Sequence, residues 1–176
     1  VDGGIATGGD SIGAAYLAEA RHALAGALVK IAHCLDQLAD EDVRWRPFES
    51  HNSIENIVLH LCGNLHQWIT SAIGGAPDTR DRPAEFAERR AIPKAQLLAR
   101  LRRSVAEADA ALAACSTASL LTHKRVQGFD TTPLAAIFDS VSHFVGHTHQ
   151  IVYITRLRLG EAYRFQWTPT KEQGGT

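Results

Sequence analysis

Residues 132 to 160, TPLAAIFDSVSHFVGHTHQIVYITRLRLG, form the longest uninterrupted helical pattern in the chain, and they constrain the fold more than any other stretch. Thr132 suits an N-cap, because its hydroxyl can accept a hydrogen bond from a free first-turn N–H, and Pro133 gives up a donor that had no partner anyway. Ile137, Phe138, Val141, Phe144, Val145, Thr148, Ile151, Val152 and Thr155 recur at three- and four-residue spacing and predict one buried apolar stripe. Arg156 and Arg158 suit the negative end of the macrodipole, and Gly160 offers a left-handed stop. Inside this helix His143 and His147 stand four apart, so their β-carbons lie roughly 5–6 Å from each other on one face, close enough to share a metal ion.

The remaining chain reads as three more amphipathic helices. Leu17, Leu24, Leu28, Ile31, Leu35 and Leu38 mark a first helix from about Ser11 to Leu38, ended by the segment from Glu41 to Pro47, with Trp45 expected to cap one end of the core. His22 and His33 lie off its stripe and read as surface or hydrogen-bonded residues, since neither has a His, Cys or carboxylate at i+4. Asn52 with Glu55 opens a second helix to about Ile73, with Ile54, Ile57, Val58, Leu61, Leu65, Trp68, Ile69 and Ala72 inward. His60, Gly63, Asn64 and Gln67 make a polar seam along one margin of that stripe. Either His60 and Asn64 hydrogen-bond within the core, or His60 is a third metal ligand.

Gly74 to Asp78 closes the second helix, and a charged connection follows through residue 92, with a short turn expected between Glu85 and Arg90. A connection this long joins parallel neighbours across a bundle end. Pro93 starts a third helix to about Cys115, with Leu97, Leu98, Leu101, Val105, Ala108 and Leu112 inward. Arg125 to Gly128 is expected to form a short extended piece at the bundle mouth, with His123 exposed. Tyr163, Phe165 and Trp167 are expected to pack back on the helices or on a partner subunit. The fold class is therefore all-α, a four-helix bundle, the architecture that builds metal sites from side chains on facing helices.

A chain of 176 residues makes one domain, placed at 11–167, and can bury a core without staples. Residues 168–176 are expected to be a flexible tail. With no Met at any position, residue 1 included, residues 1–10 are expected to be disordered or vector-derived. A net charge of −1, from 18 Lys+Arg against 19 Asp+Glu, gives no footprint for nucleic acid or an anionic membrane. Cys34, Cys62 and Cys115 form no C-x-x-C pair and read as reduced thiols, so the expected compartment is the cytoplasm. No apolar run approaches the roughly 20 residues that span a bilayer.

If the second and fourth helices are neighbours, His60, His143 and His147 reach one level. Three neutral imidazoles leave a coordination position open, as a catalytic site does and a closed structural site does not. Zinc held this way lowers the pKa of bound water to about 7 and stabilises a thiolate; nickel, iron or manganese suit imidazole as well. HFVGH lacks the glutamate of HExxH, which counts against a zincin-type protease. Asp139, four residues before His143, is a candidate carboxylate to orient a ligand or else a solvent-facing charge, and Asn64, Gln67, Ser142 and Gln150 are candidate wall residues.

NSIENIVLHLCGNLHQWI, GGAPDTRDRPAEFAER and SHFVGHTHQIVYITRLRLG resemble the DinB-like superfamily of metal-dependent four-helix bundles, in particular its DUF1572-type branch, over about residues 15 to 160. The resemblance implies an up-down-down-up bundle with its long crossover between helices two and three, a homodimer, and metal ligation by His60 with the H-x-x-x-H pair His143 and His147. It also implies a stress-response or detoxification enzyme, an S-transferase or isomerase-like, that uses a divalent ion to activate a low-molecular-weight thiol towards an electrophile. Where relatives often carry a Glu beside the first of those helix-four histidines, this chain has Ser142 and Phe144, and where they carry a Gly before Gln150 it has His149. Two other readings stand beside it: a non-catalytic metal-binding, dimerising bundle, and a metal-free helical scaffold.

Overall fold

The structure is a computed structural model that describes residues 8–167; the tail expected at 168–176, and most of the leading segment, lie outside the described residues. The fold is all-α apart from one small hairpin. Helix α1 spans Gly8–Gln37, α2 Asp40–Arg44, α3 Ile54–Leu65, α4 Arg82–Ala87, α5 Lys94–Ala113 and α6 Pro133–Leu159. α1 packs on α5 and α6, and α3 packs on the same two helices from the other side. Leu24, Ile31, Leu35, Ile57, Leu61, Leu97, Leu101, Ile137, Phe144 and Ile151 fill the space between them.

Local chemistry explains the boundaries. Thr132 caps α6 as expected, its hydroxyl accepting from the Ala135 N–H at 3.2 Å, and Gly160 ends the helix with φ of 53°. The cap of α3 lies one residue later than Asn52: Ser53 Oγ accepts from the Asn56 N–H, and Asn56 Oδ1 accepts from the Ser53 N–H, both at 3.3 Å. Glu55 is consequently free of the cap; it is buried and accepts the Ile92 N–H at 3.3 Å. The chain after α1 does not end its helicity at once. Asp40, Glu41 and Asp42 place three carboxylates in the first turn of α2, which buries Val43 before Trp45 leaves the helix half-buried.

Two stretches depart from a regular helical period. α3 runs on into a π-helical segment, His66–Ser71, whose wider i→i+5 turn rephases the stripe, so that Gln67 is buried while Trp68 and Ala72 are only half-buried. Phe138 of α6 is 62% exposed rather than buried. The expected extended piece is a hairpin, β1 (Lys124–Val126) paired antiparallel with β2 (Phe129–Thr131). Its turn residues Gln127 and Gly128 both have positive φ, 52° and 83°, as the primed two-residue turns require.

Side chains fix how the helices meet. At one end of α1 the Tyr16 hydroxyl donates to Leu134 O of α6 at 2.6 Å, and at the other Gln37 accepts from the Arg164 N–H at 2.7 Å. Arg21 of α1 pairs with Asp109 near the end of α5 at 2.6 Å. Between α3 and α6, Ser140 Oγ donates to Asn64 Oδ1 at 2.8 Å. His33 contacts Arg164 O at 2.6 Å, so it fastens the segment after α6, where Arg156 lies over the Tyr163 and Phe165 rings at 5.8 and 5.3 Å. Among the described residues no helix is long and apolar enough to cross a membrane.

Asn56 serves both as part of the α3 cap and as a clamp, since its Nδ2 donates to Glu85 O at 3.0 Å and Glu88 O at 3.2 Å. Asn56→Ala is expected to destabilise the protein by about 2–3 kcal/mol, because one buried and one half-buried carbonyl lose their donor. Ser53→Ala, which removes only the cap, should cost about 1 kcal/mol. Urea unfolding of the two variants measures the difference, and equal losses would show that the clamp carries nothing.

Candidate metal centre

Three imidazoles meet between α3 and α6. His60 comes from α3, His143 and His147 from adjacent turns of α6, and one ring nitrogen of each lies within 4.8 Å of the others. The ring centroids are 4.9 Å apart for His60 and His143, 5.2 Å for His60 and His147, and 4.4 Å for His143 and His147. His60 is buried and the other two are half-buried, so the cluster is covered on the α3 side and reachable from the α6 side.

The crossover between α3 and α5 supplies what orients His60. Glu85 Oε2 lies 2.9 Å from His60 Nδ1, while Arg80 grips the same carboxylate through Nε to Oε1 at 2.7 Å and Nη2 to Oε2 at 3.0 Å. Arg80 Nη2 is also 3.1 Å from His60 Nδ1. Both cannot be hydrogen bonds to a single Nδ1–H. The buried carboxylate is the stronger acceptor, so His60 donates Nδ1–H to Glu85 and keeps its Nε2 lone pair for the interior. Burial pushes the Glu85 carboxyl up, but the hydrogen bonds from His60 and Arg80 and the charge on Arg80 outweigh it and hold the group below the ordinary carboxylate range.

Glycine makes this approach feasible. A β-carbon at Gly63 would sit 1.9 Å from Glu85 Oε1 and 3.0 Å from Arg80 Nε, so the carboxylate can lie across α3 only where the helix has no side chain. Arg80 is itself anchored. Its Nη1 donates to Gln67 Oε1 at 2.9 Å, Gln67 Nε2 donates to Asp78 Oδ2 at 2.7 Å, and Gln127 at the hairpin turn donates to the same Gln67 oxygen. On α4, Asp81 caps the helix by accepting the Ala84 N–H at 3.1 Å, and this sets Glu85 and Phe86 against α3. The Phe86 ring lies 4.9 Å from the His60 ring.

The two α6 histidines are tuned differently. His147 Nδ1 faces Gln150 Oε1 at 2.8 Å, which fixes Nδ1–H there and leaves Nε2 as its free donor atom. His143 Nε2 faces His60 Nε2 at 2.9 Å. Two imidazole lone pairs cannot face each other at that distance unless a proton or a cation lies between them. Burial, followed by the charges of His147, His60, Arg80 and Arg82, lowers the His143 pKa from 6.5 to about 4. Burial lowers that of His147 too. At neutral pH both rings are uncharged, the form that binds metal.

Of the polar seam, His60, Gly63 and Gln67 take part in this assembly while Asn64 bonds Ser140 of α6, and Gln150 lies beside His147. Asp139 and Ser142 do not belong to it. Asp139 is exposed with its charge acting on Tyr16 of α1, and the Ser142 hydroxyl bonds back to Phe138 O. His149 is exposed on the α1 side, next to His22. The orienting carboxylate is Glu85, not Asp139. The sequence signal that could have found it is the pair Arg80 and Glu85, opposite charges in a connection long enough to fold back over the seam.

Glu85→Ala strands the Arg80 guanidinium, whose side chain is only 3% exposed, and is expected to cost about 3–5 kcal/mol in urea unfolding. Gly63→Ala should cost on the order of 1–3 kcal/mol by forcing the carboxylate aside. For the metal-free protein the pH dependence has one sign. His143 titrates near 4 folded and near 6.5 unfolded, so the unfolded chain binds more protons between these values and stability falls as pH drops through that window. The depressed Glu85 carboxyl acts in the same direction at lower pH. Thermal melts of metal-free wild type and His143→Ala across this range should show the steeper loss in wild type, and parallel curves would contradict the assignment.

A conserved protein from Enterococcus faecalis of known crystal structure is similar in fold, with a TM-score of 0.66 at 21% identity over 80% of this chain and 95% of that one. No curated protein matches. The family model described as "Protein of unknown function (DUF1572)" matches residues 11–171, and the chain therefore belongs to the DUF1572 family.

Proposed function

We propose that the protein is a DinB-like metal-binding four-helix bundle in which His60, His143 and His147 hold one divalent ion. The observation that carries this reading is the convergence of three imidazoles, two of them with Nδ1 engaged by an oxygen and Nε2 left over, and two with Nε2 atoms facing at 2.9 Å. The contacts of Tyr16 with Leu134, Arg21 with Asp109, and Asn64 with Ser140 support an up-down-down-up order, with the crossover between α3 and α5.

The donor set suits zinc, and also nickel, iron or manganese, since three imidazoles select weakly among them. A divalent ion there supplies Lewis acidity at an open position, which lowers the pKa of a thiol or water placed in it. We take the reaction to be transfer of a low-molecular-weight thiol to an electrophile, in a reducing cytoplasm suited to the free Cys34, Cys62 and Cys115. The chain's own residues hold the ligand rings in register. Glu85 fixes His60, Gln150 fixes His147, and Phe86 walls off water on the crossover side.

A homodimer belongs to the same proposal. Exposed Phe138 stands beside Tyr16, Val141 and Val145 in an apolar groove on α1 and α6 that a second copy can cover. Phe138→Glu is expected to shift the protein to a monomer in sedimentation experiments, with the helical content unchanged.

Elemental analysis tests the metal reading. About one equivalent of metal is expected in the wild type, with each His→Ala variant losing it and Glu85→Gln binding about 10–100-fold more weakly. Thiol consumption with a model electrophile such as chlorodinitrobenzene should fall away with the metal on chelation. A metal-free wild type sinks the whole reading; bound metal without thiol turnover leaves a non-catalytic metal-binding module.

A further inference from the structure

The crossover holds two arginines close to the histidines, and they are used in opposite ways. Arg80 spends Nε and both Nη groups on Glu85 and Gln67, and its side chain is 3% exposed. Arg82, two residues on, is exposed and makes no ion pair among the described residues. Its guanidinium lies 5.0 Å from the Phe86 ring centroid, and that ring lies 4.9 Å from His60. Arg82 and the His60 imidazole thus both lie against one aromatic ring. Stacking on Phe86 restricts the guanidinium and leaves its in-plane N–H fork unspent, the arrangement that recognises a carboxylate.

Among the described residues none of the nearby acids pairs with it. Asp81 is committed to the Ala84 N–H, Asp78 to Gln67 and to the Arg80 N–H, and Glu85 to His60 and Arg80. The exposed Arg82 guanidinium places a positive charge beside Phe86, at the approach to the His60 ring. An anion entering there meets an attractive field before it meets the histidines.

We propose that Arg82 is a specificity-determining residue that selects anionic molecules, those bearing a carboxylate, for the histidine site. The inference rests on the metal reading above and assigns the substrate class that the histidines alone leave open. A carboxylate on the incoming molecule bonds the Arg82 fork while its thiol faces the open side of the histidines. Phe86 covers the apolar segment between the two.

The test uses cobalt-loaded protein and two thiols that differ in charge but hardly in size, 3-mercaptopropionate and its neutral amide, 3-mercaptopropionamide, with binding followed in the cobalt visible spectrum. Wild type is expected to bind the carboxylate probe about tenfold more tightly, the scale of one charge-assisted hydrogen-bonded pair. Arg82→Ala should bring the two affinities to within about twofold of each other without changing cobalt stoichiometry, and Arg82→Lys should keep part of the preference, weakened by added salt. A preference that survives Arg82→Ala means the carboxylate binds elsewhere and overturns the proposal, as does a cobalt-loaded wild type with no preference. A wild type that takes up no cobalt overturns the metal reading itself, and the assignment of Arg82 with it.

Discussion

The buried carboxylate of Glu85, held between the Arg80 guanidinium and the His60 ring, is the contact on which the rest of the site depends. A charge taken out of water is costly unless its partners are close and its remaining lone pairs are filled, and here three short contacts from two side chains meet both conditions. Three otherwise unrelated features follow from it. Gly63 must lack a side chain, because the carboxylate occupies the place of its β-carbon. Asn56 must reach out of the α3 cap to tie down the Glu85 and Glu88 carbonyls. Gln67 must turn inward to hold Arg80, which the π-helical turn allows.

Those parts of the molecule governed by helical periodicity were legible from the chain alone. The α6 boundaries at Thr132 and Gly160, the pairing of His143 with His147, and the polar seam of His60, Gly63, Asn64 and Gln67 are consequences of spacing, and the structure shows them where spacing puts them. Periodicity failed where a second influence entered. The π-helical turn broke the phase after Leu65, leaving Trp68 half-buried. Phe138 fits the apolar stripe in one dimension yet lies on its outer margin, exposed beside Tyr16 and Val141. The cap of α3 moved from Asn52 to Ser53 because Asn56 can return the hydrogen bond, a reciprocity that Glu55 would have had to provide for Asn52.

Long-range chemistry was not legible in the same way. Asp139 has the right helical spacing from His143 for an orienting carboxylate, but it is exposed and its charge acts on Tyr16 of α1. The working carboxylate comes from α4, 25 residues from His60 in the chain, and no local pattern announces which face of a crossover will fold over which helix. Two of the charges in that connection, Arg80 and Glu85, are among the most deeply placed ionic groups described.

The site therefore divides its labour between two kinds of element. The three imidazoles ride on α3 and α6, whose relative position is set by a packed core that includes Ile57, Leu61, Phe144 and Ile151 and resists small adjustment. Orientation, charge and access come instead from the crossover, through Arg80, Arg82, Glu85 and Phe86. A substitution in the core moves the histidines themselves and costs stability with function. A substitution at the exposed margin of the crossover leaves the imidazoles where they are and changes only what can approach them. Arg80 and Glu85 lie on the first side of that division despite their place in a loop, because removing either strands a buried charge, whereas Arg82 and the outer edge of Phe86 lie on the second. A helix pair that fixes geometry and a loop that lies over it can vary separately, and the contrast between the two arginines, Arg80 held by Glu85 and Gln67 and Arg82 exposed over Phe86, marks where the boundary between them runs.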